Sequence, residues 1–249
     1  DNTPAVIHYE MVEGAGVEVI CAAKGGGSEN KSKLVCLNPS DSIVDWVIKT
    51  LPTMGAGWCP PGILGIGIGG TPEKAGLLAK ESLMAPVDIH LVKAKKARGE
   101  TLTRIEELRL EILEKVNDLG IGAQGLGGLT TVLDVKIMDY PTHAASLPVA
   151  MIPNCAATRH VHFYLDGSGV AELPTPKLED WPQVTWQANT QTSTRVDLNT
   201  LTPEQVAAWK PGQTLLLNGK MLTGRDAAHK RMVDMLARGE KLPVDFKNR

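Results

Sequence analysis

Two cysteines, a histidine, an arginine and a run of three glycines are the residues of this sequence best suited to chemistry. Cys59 lies in the loop Gly55-Ala56-Gly57-Trp58-Cys59-Pro60-Pro61-Gly62, and Cys155 in Pro153-Asn154-Cys155-Ala156-Ala157-Thr158-Arg159-His160. Thiolates ligate soft metals, but neither cysteine belongs to a CxxC pair, so spacing leaves a ligand and an inert loop thiol both open. His143, in Tyr140-Pro141-Thr142-His143-Ala144-Ala145-Ser146, suits acid–base work, with a satisfied core histidine as the structural alternative. Arg225, in Thr223-Gly224-Arg225-Asp226, suits carboxylate binding or a helix-entry salt bridge. Gly25-Gly26-Gly27 exposes backbone N–H groups to an anion, or forms a flexible surface loop. Gly65, Gly67 and Gly70 match the G-x-G-x-x-G spacing of dinucleotide sites, with Asp88 near the distance of a ribose-binding acid. Asp88 falls early in its expected strand, however, and no repeated βαβ units follow, which argues against a nucleotide site.

These residues need elements to position them. A hairpin is expected over residues 5–23, with strands Ala5–Val12 and Val17–Ala23 joined by Glu13-Gly14-Ala15-Gly16. Ser40 or Asp41 is placed to cap a helix through Ile43, Val44, Trp46, Val47 and Ile48. Residues 101–119 form the clearest helix: Leu102, Ile105, Leu108, Ile112, Val116 and Leu119 make one apolar stripe, while Glu106, Glu107, Arg109, Glu111, Glu114 and Lys115 take the solvated side and Gly120 stops it. A strand is expected over Thr130–Met138, then a Pro- and Gln/Asn/Thr-rich linker over 173–195. Beyond it come a short helix capped by Thr202 with Pro203 in its first turn, a strand over Gln213–Asn218 and a helix over Asp226–Gly239. Cys21 and Cys36, in apolar strand-like runs, read as buried thiols.

Composition sets the frame. The 249 residues are 43% hydrophobic and 22% charged, as in an ordinary globular protein with a sizeable core. The formal net charge of −2 supplies no basic stripe, so neither nucleic acid nor an anionic membrane is an expected partner. Four scattered cysteines suit a reducing, cytoplasmic setting better than a disulfide framework.

Taken together, GGGSENKSK, PTMGAGWCPPG, GIGIGGTPEKA, PTHAASLPVAMIPNCAATRH and LTGRDAAHKRM resemble the iron–sulfur-dependent class I fumarate hydratases, densely from about residue 9 to residue 236. The resemblance implies reversible hydration of fumarate to L-malate by a homodimer carrying a four-iron, four-sulfur (4Fe-4S) cluster, whose open iron acts as a Lewis acid. By motif, Cys59 and Cys155 match two cluster ligands, His143 an active-site histidine, Arg225 an arginine that binds a substrate carboxylate, and Gly25, Gly26 and Gly27 a loop lying against the substrate. The family's third cluster cysteine precedes a Gln-Asp pair, which neither Cys21 nor Cys36 does; it is expected upstream of this chain. The base threonine and further basic residues are expected beyond Arg249, so these residues read as an internal piece that alone does not retain the cluster. Lys177-Leu178-Glu179-Asp180-Trp181-Pro182 resembles the single-chain fumarases, which favours them over two-subunit tartrate dehydratases. A tartrate dehydratase-type activity and an inactive, cluster-free scaffold are the alternatives. The expected fold is mixed α/β (α+β): helices packed on mixed sheets in a cluster-binding domain over 1–172, a linker over 173–195, and the start of a smaller β/α substrate-binding domain over 196–249.

Overall fold

A computed structural model describes residues 5–157, 159–171, 173, 177, 179, 185, 187, 189–210 and 212–246. Contacts divide the chain into two units, Asp1–Thr175 and Pro176–Arg249. The first contains β1 (Val17–Ala22), α1 (Gly26–Glu29), β2 (Lys33–Leu37), α2 (Ile43–Thr50), β3 (Gly62–Gly69), α3 (Pro72–Ser82), α4 (Ile89–Ala97), α5 (Arg104–Asp118), β4 (Val132–Tyr140), β5 (Leu147–Cys155) and β6 (His160–Leu165). The second contains β7 (Thr194–Asp197), α6 (Pro203–Ala207), β8 (Leu215–Asn218) and α7 (Asp226–Ala237), with β7 and β8 paired in parallel.

The centre of the first unit is a mixed sheet in the order β2-β5-β3-β4, in which only β3 and β4 run parallel. Side chains alternate across a strand, and β3 shows what that alternation positions. Leu64, Ile66 and Ile68 point into a core with Val47 of α2, Val92 of α4, and Ile112 and Val116 of α5. The opposite face carries Gly65 and Gly67, and there α3 packs directly on the backbone. A Cβ on Gly65 would stand 2.3 Å from the Ala79 carbonyl oxygen, and one on Gly67 1.9 Å from that of Ala75. The G-x-G spacing therefore serves close helix–sheet packing. Asp88, for its part, caps α4, accepting from the His90 and Leu91 N–H groups at 2.8 and 3.0 Å. Both features that suggested a nucleotide site have structural uses.

A buried ion pair ties the other layer together. Arg109 of α5 meets Asp134 of β4 at 3.2 Å and also donates to the Val135 and Val87 carbonyls, at 2.6 and 3.0 Å; Asp134 accepts from the Ile89 N–H at 3.1 Å. Arg109 is thus in the core rather than on the solvated side of the helix, because its guanidinium finds a partner for each desolvated donor edge it turns inward. Lys136 donates to the Ala85 carbonyl beside this pair, and burial lowers its pKa.

Four further expectations change. Residues 5–12 form no strand; β1 pairs antiparallel with β6 rather than closing a local hairpin. The cap of α2 is Ser42, whose Oγ accepts from the Asp45 N–H at 3.1 Å, since Asp41 instead accepts from the Asn38 N–H at 2.8 Å in the preceding turn. Cys21 and Cys36 are exposed: β1 lies in a two-stranded ribbon, and in the edge strand β2 it is Val35 and Leu37 that face the core, with Cys36 alternating away from it. The helix expected from residue 101 begins at Arg104, because Thr103 and Glu106 close a capping box. Thr202 and Gln205 form another at α6, where it was expected. Residues 174–176, 178, 180–184, 186 and 188 of the expected linker lie outside the described residues. Among the described residues no helix is long and apolar enough to cross a membrane.

Candidate functional site

Three glycine-rich segments converge where β5 ends and β3 begins. Trp58, 1% exposed, anchors one of them in the core, and Cys59 follows with φ of 60°. That left-handed backbone costs a residue with a Cβ about 1–2 kcal/mol. Gln124, with φ of 55°, donates its backbone N–H to the Pro60 carbonyl at 2.7 Å and its side-chain Nε2 to the same oxygen at 3.4 Å. Cys59 and Gln124 are the non-glycine residues with positive φ among the described residues, and their loops are bonded together. Backbone strain concentrated at one place is a mark of a functional site.

Cys155 ends β5, where it pairs in register with Gly62, three positions after Cys59. Its Sγ lies 3.9 Å from Arg159 Nη1 and 3.9 Å from the Ala157 carbonyl oxygen. Both Cys59 and Cys155 are half-buried free thiols. The expected Gly25–Gly27 loop is ordered as the start of α1, and its glycines differ in use. A Cβ on Gly27 would stand 2.5 Å from the Gly57 carbonyl oxygen, so this glycine lets two loops touch. Gly25 and Gly26 have nothing within 4 Å of a Cβ position and stay open to a ligand. Ser28 is buried and donates to the Trp58 carbonyl at 3.5 Å.

Lys24 completes this end. Its Nζ donates to the Pro153 carbonyl at 2.7 Å and lies 3.7 Å from Glu29, whose carboxylate is also bonded by Lys80 of α3. Burial pushes the Lys24 pKa down to about 8; Glu29 opposes the drop, Lys80 adds to it, and Cys155 opposes it weakly.

His143 is at the other end of the sheet. It lies between β4 and β5, before Leu147, in a turn held by Thr142 Oγ1 donating to the Gly70 carbonyl at 2.9 Å. The nine residues of β5 that separate this turn from Cys155 span about 26 Å. His143 is exposed, and its Nδ1 accepts from the Ala145 N–H at 3.1 Å, which leaves Nε2 as the nitrogen able to carry a proton in the neutral ring. Arg225, in the second unit, is exposed and stands at the N-cap of α7. One copy therefore groups Gly25, Gly26, Gly27, Cys59 and Cys155, and leaves His143 apart. Lys24, Arg159 and Gln124 were not singled out from the sequence. The signal for two of them was adjacency, since Lys24 directly precedes the glycines and Arg159 follows Cys155 by four positions.

Among the described residues no three His, Cys, Asp or Glu side chains are grouped to hold a metal ion. A protein-family model described as fumarate hydratase (fumerase) matches residues 1–164. The chain belongs to the fumarate hydratase family. A second model, the fumarase C-terminus, matches residues 167–249, so both units carry fumarase sequence. The aerobic class I fumarate hydratase of Salmonella typhimurium is 32% identical over 257 residues, covering 99% of this chain and 44% of that protein. The anaerobic class I fumarate hydratase of Escherichia coli is 30% identical over 257 residues, covering 99% of the chain and 46% of that protein. The chain thus spans less than half the length of either fumarase. A putative L(+)-tartrate dehydratase subunit alpha of Methanocaldococcus jannaschii is 41% identical over 162 residues, covering 64% of the chain and 54% of that protein.

Proposed function

We propose that this chain is part of a hydro-lyase that interconverts fumarate and L-malate, working at the end of the sheet where Cys59 and Cys155 meet the glycine turn. The observation that carries the reading is this convergence, in a chain whose two units both match fumarase models. Two half-buried thiols, one in the loop that enters β3 and one at the end of the neighbouring β5, suit a soft-metal cluster, with a third thiolate that the described residues do not supply. Cys59 and Cys155 are the residues that would hold a 4Fe-4S cluster here, which supplies Lewis-acid polarisation of a substrate hydroxyl when bound.

The chain's own groups define the rest. Gly25 and Gly26 let a dicarboxylate approach the backbone without meeting a side chain. Arg225 offers a fork of N–H donors to a carboxylate. His143 presents Nε2–H to a substrate oxygen, because the Ala145 N–H at Nδ1 opposes a proton there. A substrate shared by His143 and Cys155 needs two copies, since about 26 Å of β5 separates them within one. That requirement supports the homodimer implied by the resemblance.

The test is anaerobic reconstitution of the intact protein with iron and sulfide, followed by fumarate hydration. Activity is expected, and Cys59→Ala and Cys155→Ala should each lower it at least about a hundredfold, as loss of an outright ligand does. A second reading, a tartrate dehydratase, is favoured by the 41% identity over 162 residues to the putative tartrate dehydratase subunit. Dehydration of L(+)-tartrate with no turnover of fumarate would select it.

A further inference from the structure

The glycine turn has no apolar core of its own: α1 is a single turn, and only its Ser28 is buried. Beside the Ser28 bond to the Trp58 carbonyl, charge ties it to the strand and to α3. Lys24, one residue before the turn and 10% exposed at its side chain, donates to the Pro153 carbonyl, two residues before Cys155. Glu29, at the end of the turn, accepts from Lys80 of α3 and stands 3.7 Å from Lys24. One carboxylate therefore serves two ammonium groups, and the three span the turn, the strand that carries Cys155 and the helix packed on β3.

We propose that Lys24 is a positioning residue for the proposed hydratase site, tying the Gly25–Gly27 turn to β5 so that its open backbone faces the substrate at a fixed place beside Cys155. The proposal rests on the function proposed above only for its consequence in turnover; the tie itself is a property of the chain. A buried ammonium is costly to desolvate, and the bond to the Pro153 carbonyl together with Glu29 offsets that cost only with the turn held against β5.

Hydrogen exchange of the chain, wild type against Lys24→Met and Glu29→Gln, reads the tie without any cluster. The N–H groups of Glu29 and Asn30, bonded to the Gly25 and Gly26 carbonyls, should exchange at least about tenfold faster in Lys24→Met, with α5 and the central strands unchanged. Glu29→Gln, which keeps the Pro153 bond, should give a smaller change of the same kind. In the reconstituted intact protein, Lys24→Met should raise KM for fumarate about tenfold with kcat altered less than about twofold, a split that a general loss of folded protein does not produce. Unchanged exchange at the turn, or equal acceleration across the whole sheet, overturns the proposal. So does a loss of kcat with KM intact. Faster exchange at the turn in Lys24→Met, together with a reconstituted wild type that turns over no fumarate, leaves the tie standing and removes the proposed function instead.

Discussion

At the scale of single residues, Cys59 concentrates the argument. Its φ of 60° is one that glycine adopts freely and a side chain does not. Ordinarily Ala is the more stable substituent than Gly, but here the order should reverse, with Cys59→Gly more stable than Cys59→Ala by about 1 kcal/mol. Urea unfolding of the two variants checks this, and an unreversed order would show that the strain is not real. The sequence could name Cys59 and Cys155 only through motif resemblance, since neither has a partner at metal-ligand spacing. What brings them together is the β3–β5 register, which pairs residues 93 positions apart, Gly62 with Cys155. Local spacing cannot express such a pairing. Lys24 was illegible for a related reason, because the carbonyl it binds, that of Pro153, comes from a distant strand.

At the scale of elements, β3 explains a misleading match. Its apolar residues alternate with glycines, and that alternation marks a strand. The same glycines imitate a nucleotide fingerprint because close helix–sheet packing and close ligand approach both require the absence of a Cβ. Gly67→Ala should therefore destabilise the first unit by more than about 3 kcal/mol, since its Cβ would meet the Ala75 backbone at 1.9 Å and α3 must shift. Binding of a dinucleotide should be absent before and after. Helix α5 was legible down to its stripe and its stop, except for Arg109. Removing one partner of its buried pair, as in Arg109→Met, should cost about 3–5 kcal/mol, and adding Asp134→Leu should recover much of that. Thermal unfolding of the two single variants and the double variant decides it; a double loss equal to the sum of the single losses would mean the pair is not coupled. The residues of a periodic helix that break its pattern inward cannot be seen until their partners are placed.

At the scale of the whole molecule, the mixed α/β architecture was legible, and α2, α5, β4, α6, β8 and α7 followed from periodicity and turn chemistry, whereas the strands β2, β5 and β6 and the separation of the site residues did not. Motif order placed His143 and Cys155 twelve residues apart in one continuous block, as if they were neighbours. The structure puts a full strand between them, which is why the proposed site takes His143 and Cys155 from two copies. That claim is tested most directly by mixing two inactive variants of the reconstituted intact protein, His143→Ala and Cys155→Ala, under conditions that exchange subunits. Half of the dimers are then mixed and each keeps one intact site of its two, so fumarate hydration should return to about a quarter of the wild-type rate. No recovery in a mixture shown to contain mixed dimers would contradict the account, because it would mean that His143 and Cys155 serve the same site from one chain or that one of them serves none.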